Sequence, residues 1–184
     1  GLGFIGINFI KHLKRSNFKG LIKIYDNNSI NNSNSIDLIK KLDQTEMILG
    51  ELLDFKKLCN SMKHSDFVIH LAANSDISKG VDNPSVDFEN TIIATQNVLN
   101  AMLKNKIKKI IYPSGSGVYG NISHISIPEN YGPLIPVSHY GASKLAAEAM
   151  ISSFVHMHDF TALIFRFANV IGPGQTHGVA YDFI

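Results

Sequence analysis

Short apolar runs alternate with longer amphipathic ones along the chain. LIKIYD (21–26), TEMILG (45–50), DFVIHLAA (66–73), IKKIIYPS (107–114) and FTALIFRFA (160–168) have strand length and are rich in Ile and Val. Between them lie helical patterns: FIGINFIKHLKRS (4–16), DFKKLCNSMK (54–63), PSVDFENTIIATQNVLNAMLKN (84–105) and SHYGASKLAAEAMISSFVHMH (138–158). Asp54 and Ser138 have the side chains of N-caps, and Pro84 suits a first helical turn. Strand and helix in alternation predict an α/β fold, a doubly wound parallel sheet with helices on both faces. The near-continuous apolar strands predict burial on both sides. The Asn/Ser-rich stretch DNNSINNSNS (26–35) reads as a solvated loop beyond Asp26. With no internal repeat, residues 1–184 are expected to form one domain.

Composition narrows the function classes. The 184 residues are 45% hydrophobic and 17% charged, with a formal net charge of +2. That balance fits a globular domain long enough to bury a core, and gives no basic excess to recruit nucleic acid. A single cysteine, Cys59, excludes an internal disulfide framework and fits a reducing cytoplasm, where it reads as a small buried apolar group. No apolar run approaches the length of a membrane span. The eight histidines lack ligand spacing. His156 and His158, two apart on a helical pattern, point to different faces, so no metal is expected. The chain opens on glycines without Met and closes inside an apolar segment, VAYDFI, which reads as a fragment of a longer protein.

GLGFIG matches G-x-G-x-x-G at Gly1, Gly3 and Gly6. Such glycines permit a tight turn and close approach of backbone to a pyrophosphate, with the next helix aiming its N-terminus at that charge. Two parts of the required context are present: a helical pattern follows, and Asp26 closes the next strand. A preceding strand is absent. The motif predicts a Rossmann-type dinucleotide site involving Gly1, Gly3, Phe4, Ile5, Gly6, Asp26 and Asn27. A carboxylate at Asp26 accepts from both ribose hydroxyls and repels a 2′-phosphate, and no Lys or Arg follows it until Lys40. NAD is therefore expected over NADP.

YGASK places Tyr140 and Lys144 at i and i+4, on one helix face. A phenol with a reference pKa near 10 is too weak an acid to serve as a base at neutral pH. A lysine cation one turn away is expected to stabilise the phenolate and bring that value down.

Taken together, GFIG, YDN, VIHLAA, SVDFENTIIATQNVLNAM, SGSGVYG, YGASK and RFANVIGPG resemble the extended short-chain dehydrogenases/reductases of the NAD-dependent epimerase/dehydratase family, in order and spacing over essentially the whole chain. The resemblance implies an enzyme close to the nucleotide-sugar 4-epimerases, acting on a UDP-hexose in the cytoplasm. It also implies a first strand before Gly1, a substrate lobe beyond Ile184, and a homodimer packed through the helices at 84–105 and 138–158. Further roles follow from it. Glu51 and Leu52 flank the adenine, and Leu71, Ala72 and Ala73 run under the cofactor. Asn90 steadies strand ends. Tyr140 and Lys144 are the catalytic pair, and Lys144 also reaches the nicotinamide ribose. Asn169 lies near the sugar-nucleotide phosphates.

The stretch SGSGVYG departs from the family pattern. A serine or threonine is expected four residues before Tyr119, where this chain has Gly115. Ser116, with Ser114 second, is the candidate to orient the substrate oxygen. Family dehydratases place an Asp–Glu pair at the positions of Ser116 and Gly117; without it an elimination lacks its acid and base. The remaining readings are an epimerase, a reductase or dehydratase of the same family, an oxidoreductase acting on a small carbonyl or a steroid, and a non-catalytic NAD-binding protein. His177, in GPGQTHGVAYDF, is read as a surface histidine.

Overall fold

The computed structural model describes residues 1–29, 33–74, 77–122 and 126–175. In chain order the elements are α1 (Phe4–Arg15), β1 (Ile22–Asp26), α2 (Ser33–Lys40), β2 (Thr45–Leu49), α3 (Phe55–Ser61) and β3 (Phe67–Ile69). They continue with α4 (Ile77–Asp82), α5 (Ser85–Asp87), a π-helical segment (Phe88–Ile93), α6 (Ala94–Lys104), β4 (Lys109–Gly115), a 3₁₀ turn (Ser116–Tyr119), α7 (His139–His158) and β5 (Thr161–Phe167). All strand pairing is parallel, in the ladders β1–β2 and β3–β4–β5. Parallel strands joined by helical crossovers are the Rossmann-type α/β class expected from the alternation.

The chain divides into two compact units, residues 1–61 with the stretch from Asn169 onward, and residues 62–168. In the first, Leu2, Ile7, Ile10, Ile24 and Ile39 form the core, and Ile22, Ile36, Leu42 and Met47 pack against it. The spacing of Ile7 and Ile10 turns one face of α1 inward. Asn8 Nδ2 donates to the carbonyls of Phe4 and Pro173, both at 2.9 Å, and so fastens the 169–175 stretch to α1. Asp54 caps α3, its Oδ1 accepting from Lys57 N at 3.0 Å.

In the second unit β4 is the central strand. Ile110 and Tyr112 on it, Val98, Leu99 and Met102 on α6, and Ala147, Ile151 and Phe154 on α7 are buried. Each such aliphatic side chain contributes about 2 kcal/mol by leaving water. The other face of the same sheet is open: Phe67, Leu163 and Phe165 are exposed. At these positions the strands are therefore not buried on both faces as expected. Pro113 is tolerated inside β4 because β3 pairs only as far as Ile111, so its missing N–H interrupts no ladder on that side.

Three elements differ from the sequence expectation. The loop expected over 26–35 gives way to α2 at Ser33. The stretch at 77–82 is helical although it carries no clear apolar stripe. The long helix expected over 84–105 is interrupted by the π-helical segment.

Candidate active site

The glycine loop belongs to the first unit. Gly3 is extended and caps α1, its carbonyl accepting from Ile7 N at 3.0 Å. The N–H groups of Phe4, Ile5 and Gly6 precede that first intrahelical bond and make the helix N-terminus an anion site. Gly6 has no room for a side chain: a Cβ there would lie 2.1 Å from the carbonyl oxygen of Gly1. At Gly3 the reverse holds, since a Cβ would meet nothing within 4 Å. Gly6 therefore closes the turn, and Gly3 presents bare backbone to open space.

Asp26, at the end of β1, is half-buried. Its Oδ2 accepts from Leu2 N at 2.8 Å, and its Oδ1 from Asn28 N at 2.7 Å. Burial opposes ionisation of this carboxyl, and the N–H groups of Leu2 and Asn28 favour it. An ionised carboxylate beside an uncovered helix N-terminus fits a dinucleotide's ribose and pyrophosphate. Next to it, Asn27 Nδ2 donates to Glu51 Oε2 at 3.2 Å, and the Tyr25 hydroxyl donates to the Glu51 carbonyl at 2.9 Å. Asn27, Leu49, Gly50, Glu51, Asp54 and Lys57 line an open pocket, and Leu52 is half-buried. Lys57 is a cation at this pocket that the reading of the stretch after Asp26 overlooked, because it arrives from another helix.

The phenol and ammonium belong to the second unit. Ser138 caps α7 through Oγ, which accepts from Gly141 N at 3.0 Å. Gly141 lets the first turn of α7 approach the 3₁₀ turn: a Cβ there would lie 2.5 Å from the Gly117 carbonyl oxygen. Tyr140 and Lys144 share a face, with Lys144 Nζ 5.7 Å from the Tyr140 ring centroid and 4.8 Å from that of Tyr112. Lys144 is 5% exposed and donates to the Pro113 carbonyl at 2.9 Å. Burial pushes its pKa down to about 8, against the opposing pull of Glu148.

The expectation for Tyr140 is corrected. Its phenol titrates above, not below, the ordinary value, first because it is buried and second because Asp87 places negative charge near it. Asp87 was not anticipated from the sequence. It is 1% exposed, with Oδ1 accepting from Asn74 Nδ2 at 3.0 Å and Oδ2 buried without a partner among the described residues. With Glu89 two residues on and exposed, nothing in the stretch signals that Asp87 will turn inward.

Two further groups support the pair. His70, directly after β3, is buried, hydrogen-bonds Thr95 Oγ1 through Nε2 at 3.0 Å and lies 5.6 Å from the Tyr112 ring. Burial, with Lys144 nearby, lowers its pKa to about 3 and keeps it neutral. Glu148 accepts from Arg166 Nε at 3.1 and 3.2 Å and from its Nη2 at 2.8 Å. That hydrogen bonding holds the guanidinium pKa above its ordinary value. Arg166 also lies over the Tyr119 ring at 5.0 Å. The i, i+4, i+8 stripe of Tyr140, Lys144 and Glu148 was the available clue to Glu148.

The serines divide. Ser114 is 4% exposed with its Oγ unpartnered among the described residues, and Ser116 is exposed at the start of the 3₁₀ turn. Neither hydroxyl is hydrogen-bonded to Tyr140. It is Gly115 that faces the phenol, since a Cβ there would lie 3.5 Å from Tyr140 Oη. Leu71 and Ala73 are half-buried and Ala72 is exposed, just past β3. Asn90 is exposed on the π-helical segment and makes no hydrogen bond to a strand end among the described residues. The tie between this helical stretch and the end of β3 is instead His70–Thr95. Asn169 is exposed two residues past β5, and His177 lies outside the described residues.

A glycine turn opening a helix, with a carboxylate at the next strand end, marks an NAD-binding α/β protein, and comparison with known proteins agrees. The family described as "NAD dependent epimerase/dehydratase family" matches residues 1–184, and the chain belongs to it. NAD is the cofactor of this family. A putative UDP-glucose 4-epimerase of Methanocaldococcus jannaschii is 32% identical over 179 residues, covering 95% of this chain and 55% of the relative. A dTDP-glucose 4,6-dehydratase of Streptomyces antibioticus is 26% identical, covering 94% and 52%. The solved UDP-N-acetylglucosamine 4-epimerase of Methanobrevibacter ruminantium M1, in complex with UDP-N-acetylmuramic acid, superposes with a TM-score of 0.84 at 30% identity, covering 98% and 56%. The chain thus spans about half the length of the relatives it matches.

Proposed function

We propose that the protein is an NAD-dependent epimerase of nucleotide sugars, inverting the C4 hydroxyl of a UDP-hexose. One observation carries this reading. Tyr140 and Lys144 are set as an acid–base pair against a strand end whose next residues, Ser116 and Gly117, carry no carboxylate. An elimination needs an acid and a base beside the phenol; reversible removal of hydrogen at one carbon needs the phenol alone. Similarity to 4-epimerases supports the choice.

The chemistry NAD supplies when bound is reversible acceptance of a hydride. Gly1, Gly3 and Gly6, with the N–H groups of Phe4 and Ile5, hold its pyrophosphate; Asp26 and Asn27 hold the adenosine ribose. Glu51 and Leu52 flank the adenine, while Leu71, Ala72 and Ala73 give the cofactor a flat floor. Tyr140 takes the proton of the sugar 4-hydroxyl and, after the 4-keto sugar has turned, returns it to the same oxygen; the hydride that bound NAD would hold goes back to the opposite face of C4. Lys144 keeps its charge beside the phenol and reaches the nicotinamide ribose. Asn169 serves the sugar-nucleotide phosphates, and Ser116 or Ser114 steadies the sugar. The enzyme works in the cytoplasm as a homodimer joined through α6 and α7.

The test uses the full-length protein with NAD and either UDP-galactose or UDP-N-acetylglucosamine, following the C4 epimer by NMR. Tyr140→Phe should lower turnover by at least about a hundredfold while NAD binding is unchanged. Unchanged turnover in that variant rejects the assignment. Tight NAD binding with no epimer from any nucleotide sugar favours a reductase of another substrate or a non-catalytic NAD-binding protein, the reading that the glycine at 115 motivates.

A further inference from the structure

Lys144 and Glu148 stand one turn apart on α7, and both are buried, at 5% and 8% exposure. Side chains at that spacing are neighbours, with Cβ atoms about 5–6 Å apart, so an ammonium and a carboxylate there can pair. Burial strengthens the pull, because a charge withdrawn from water needs a partner. Yet each is engaged elsewhere. Lys144 Nζ donates to the Pro113 carbonyl at 2.9 Å and lies 5.7 Å from the Tyr140 ring centroid. Glu148 turns to β5, where Oε1 and Oε2 accept from Arg166 Nε at 3.1 and 3.2 Å, and Oε2 also accepts from Nη2 at 2.8 Å. The guanidinium is fixed from two further sides: Nη1 donates to the Glu129 carbonyl at 3.3 Å, and the Tyr119 ring lies 5.0 Å away. The other titratable groups around this site do not compete for the ammonium. Burial keeps the Tyr112 and Tyr140 phenols protonated and His70 neutral, and Asp87 is held by Asn74.

We propose that Arg166 is a positioning residue for the catalytic pair: by occupying both oxygens of Glu148 it prevents that carboxylate from capturing Lys144, and so leaves the ammonium at the Pro113 carbonyl beside Tyr140. Arginine suits the task because its planar fork engages both carboxylate oxygens at once and stays charged. Glu148 still places negative charge on the lysine's helix face, which favours the cation, but it does so from a distance that leaves the ammonium where the phenol needs it. Arg166 acts through Glu148. The proposal rests on Tyr140 and Lys144 being the acid–base pair.

The decisive comparison is Arg166→Met against Glu148→Gln/Arg166→Met in the full-length protein, at a temperature where both are folded. NMR of isotope-labelled lysine follows the Lys144 midpoint without turnover, the signal being assigned by its loss in Lys144→Met. In Arg166→Met the freed carboxylate should draw the ammonium over, raising the Lys144 midpoint by about one pH unit or more and lowering kcat about ten- to a hundredfold. In the double variant no carboxylate competes. Its midpoint should fall to that of the unaltered protein or below, and most of the lost kcat should return. A merely structural strut behaves differently: it is missing from both variants, so the double is no better than the single, and water reaching Lys144 raises the midpoint in both. That result overturns the proposal, as does an unmoved Lys144 midpoint in Arg166→Met. Arg166→Gln, with the same signs expected, takes the place of Arg166→Met where methionine prevents folding. A crystal structure of the arginine variant should show Lys144 Nζ within ion-pair distance of Glu148, and a lysine still seated on the Pro113 carbonyl overturns the proposal. If no nucleotide sugar is turned over, the titration and the crystal structure still decide, so the failure of the epimerase reading is distinguishable from the failure of this one.

Discussion

Lys144 shows how burial sets chemistry at the scale of one residue. Its ammonium is held by one carbonyl and two ring faces, and its pKa of about 8 lies well under the ordinary 10.5. Two consequences have opposite signs. Catalysis that relies on the cation should decline as pH rises through about 8, visible as the alkaline limb of kcat/KM. Stability should move the other way. Between about pH 8 and 10 the unfolded chain binds the proton that the folded chain has lost, so folding stability gains roughly 1 kcal/mol per pH unit. Denaturant unfolding across that range checks it, and Lys144→Met should remove this component. A stability that falls over the same range in the unaltered protein, and not in Lys144→Met, contradicts the assignment. Tyr140 belongs to the same balance: burial and Asp87 resist its ionisation, so the nearby cation is a counterweight rather than a surplus.

At the scale of elements, the pair Glu148–Arg166 fastens α7 to β5 beside the 3₁₀ turn. Glu148 is 8% exposed, so removing its partner strands a carboxylate in the interior. Arg166→Met should destabilise the protein by about 3 kcal/mol, and the double variant Glu148→Gln/Arg166→Met by clearly less, because no charge is then left unpaired. Urea midpoints of the two variants give the comparison; equal losses would show that packing, not the charge pair, dominates. The same elements show where local signals suffice. Ser138 and Asp54 cap the helices they were expected to cap, since an N-cap is decided by one side chain and the next few N–H groups. The π-helical segment at Phe88–Ile93 had no such signal, because a widened turn preserves an apolar helical pattern on either side of it.

For the whole molecule, Phe88, Ile93 and Met157 on the long helical stretches remain exposed. A homodimer joined through α6 and α7 should cover them, and sedimentation equilibrium of the full-length protein should give twice the chain mass. Ile93→Glu should shift that mass toward the monomer while the far-ultraviolet circular dichroism stays unchanged. How much of this protein its sequence determined depends on the range of the forces involved. Alternation of apolar runs was enough for the Rossmann-type class, because strand and helix periods are local and parallel strands need crossovers. The tight turn at Gly6, the place of Asp26 at the end of β1 and the shared helix face of Tyr140 and Lys144 were legible because a glycine turn, a strand end and an i, i+4 pair are each local patterns. Tertiary structure alone decided the electrostatics of the site. Asp87, His70 and Glu148 acquire their effects through burial and neighbours distant in sequence, and desolvation has no sequence period. It also decided that Gly115, rather than either flanking serine, faces the phenol. Strand alternation places residues on faces, but the packing of α7 against the strand end selects which face the phenol meets.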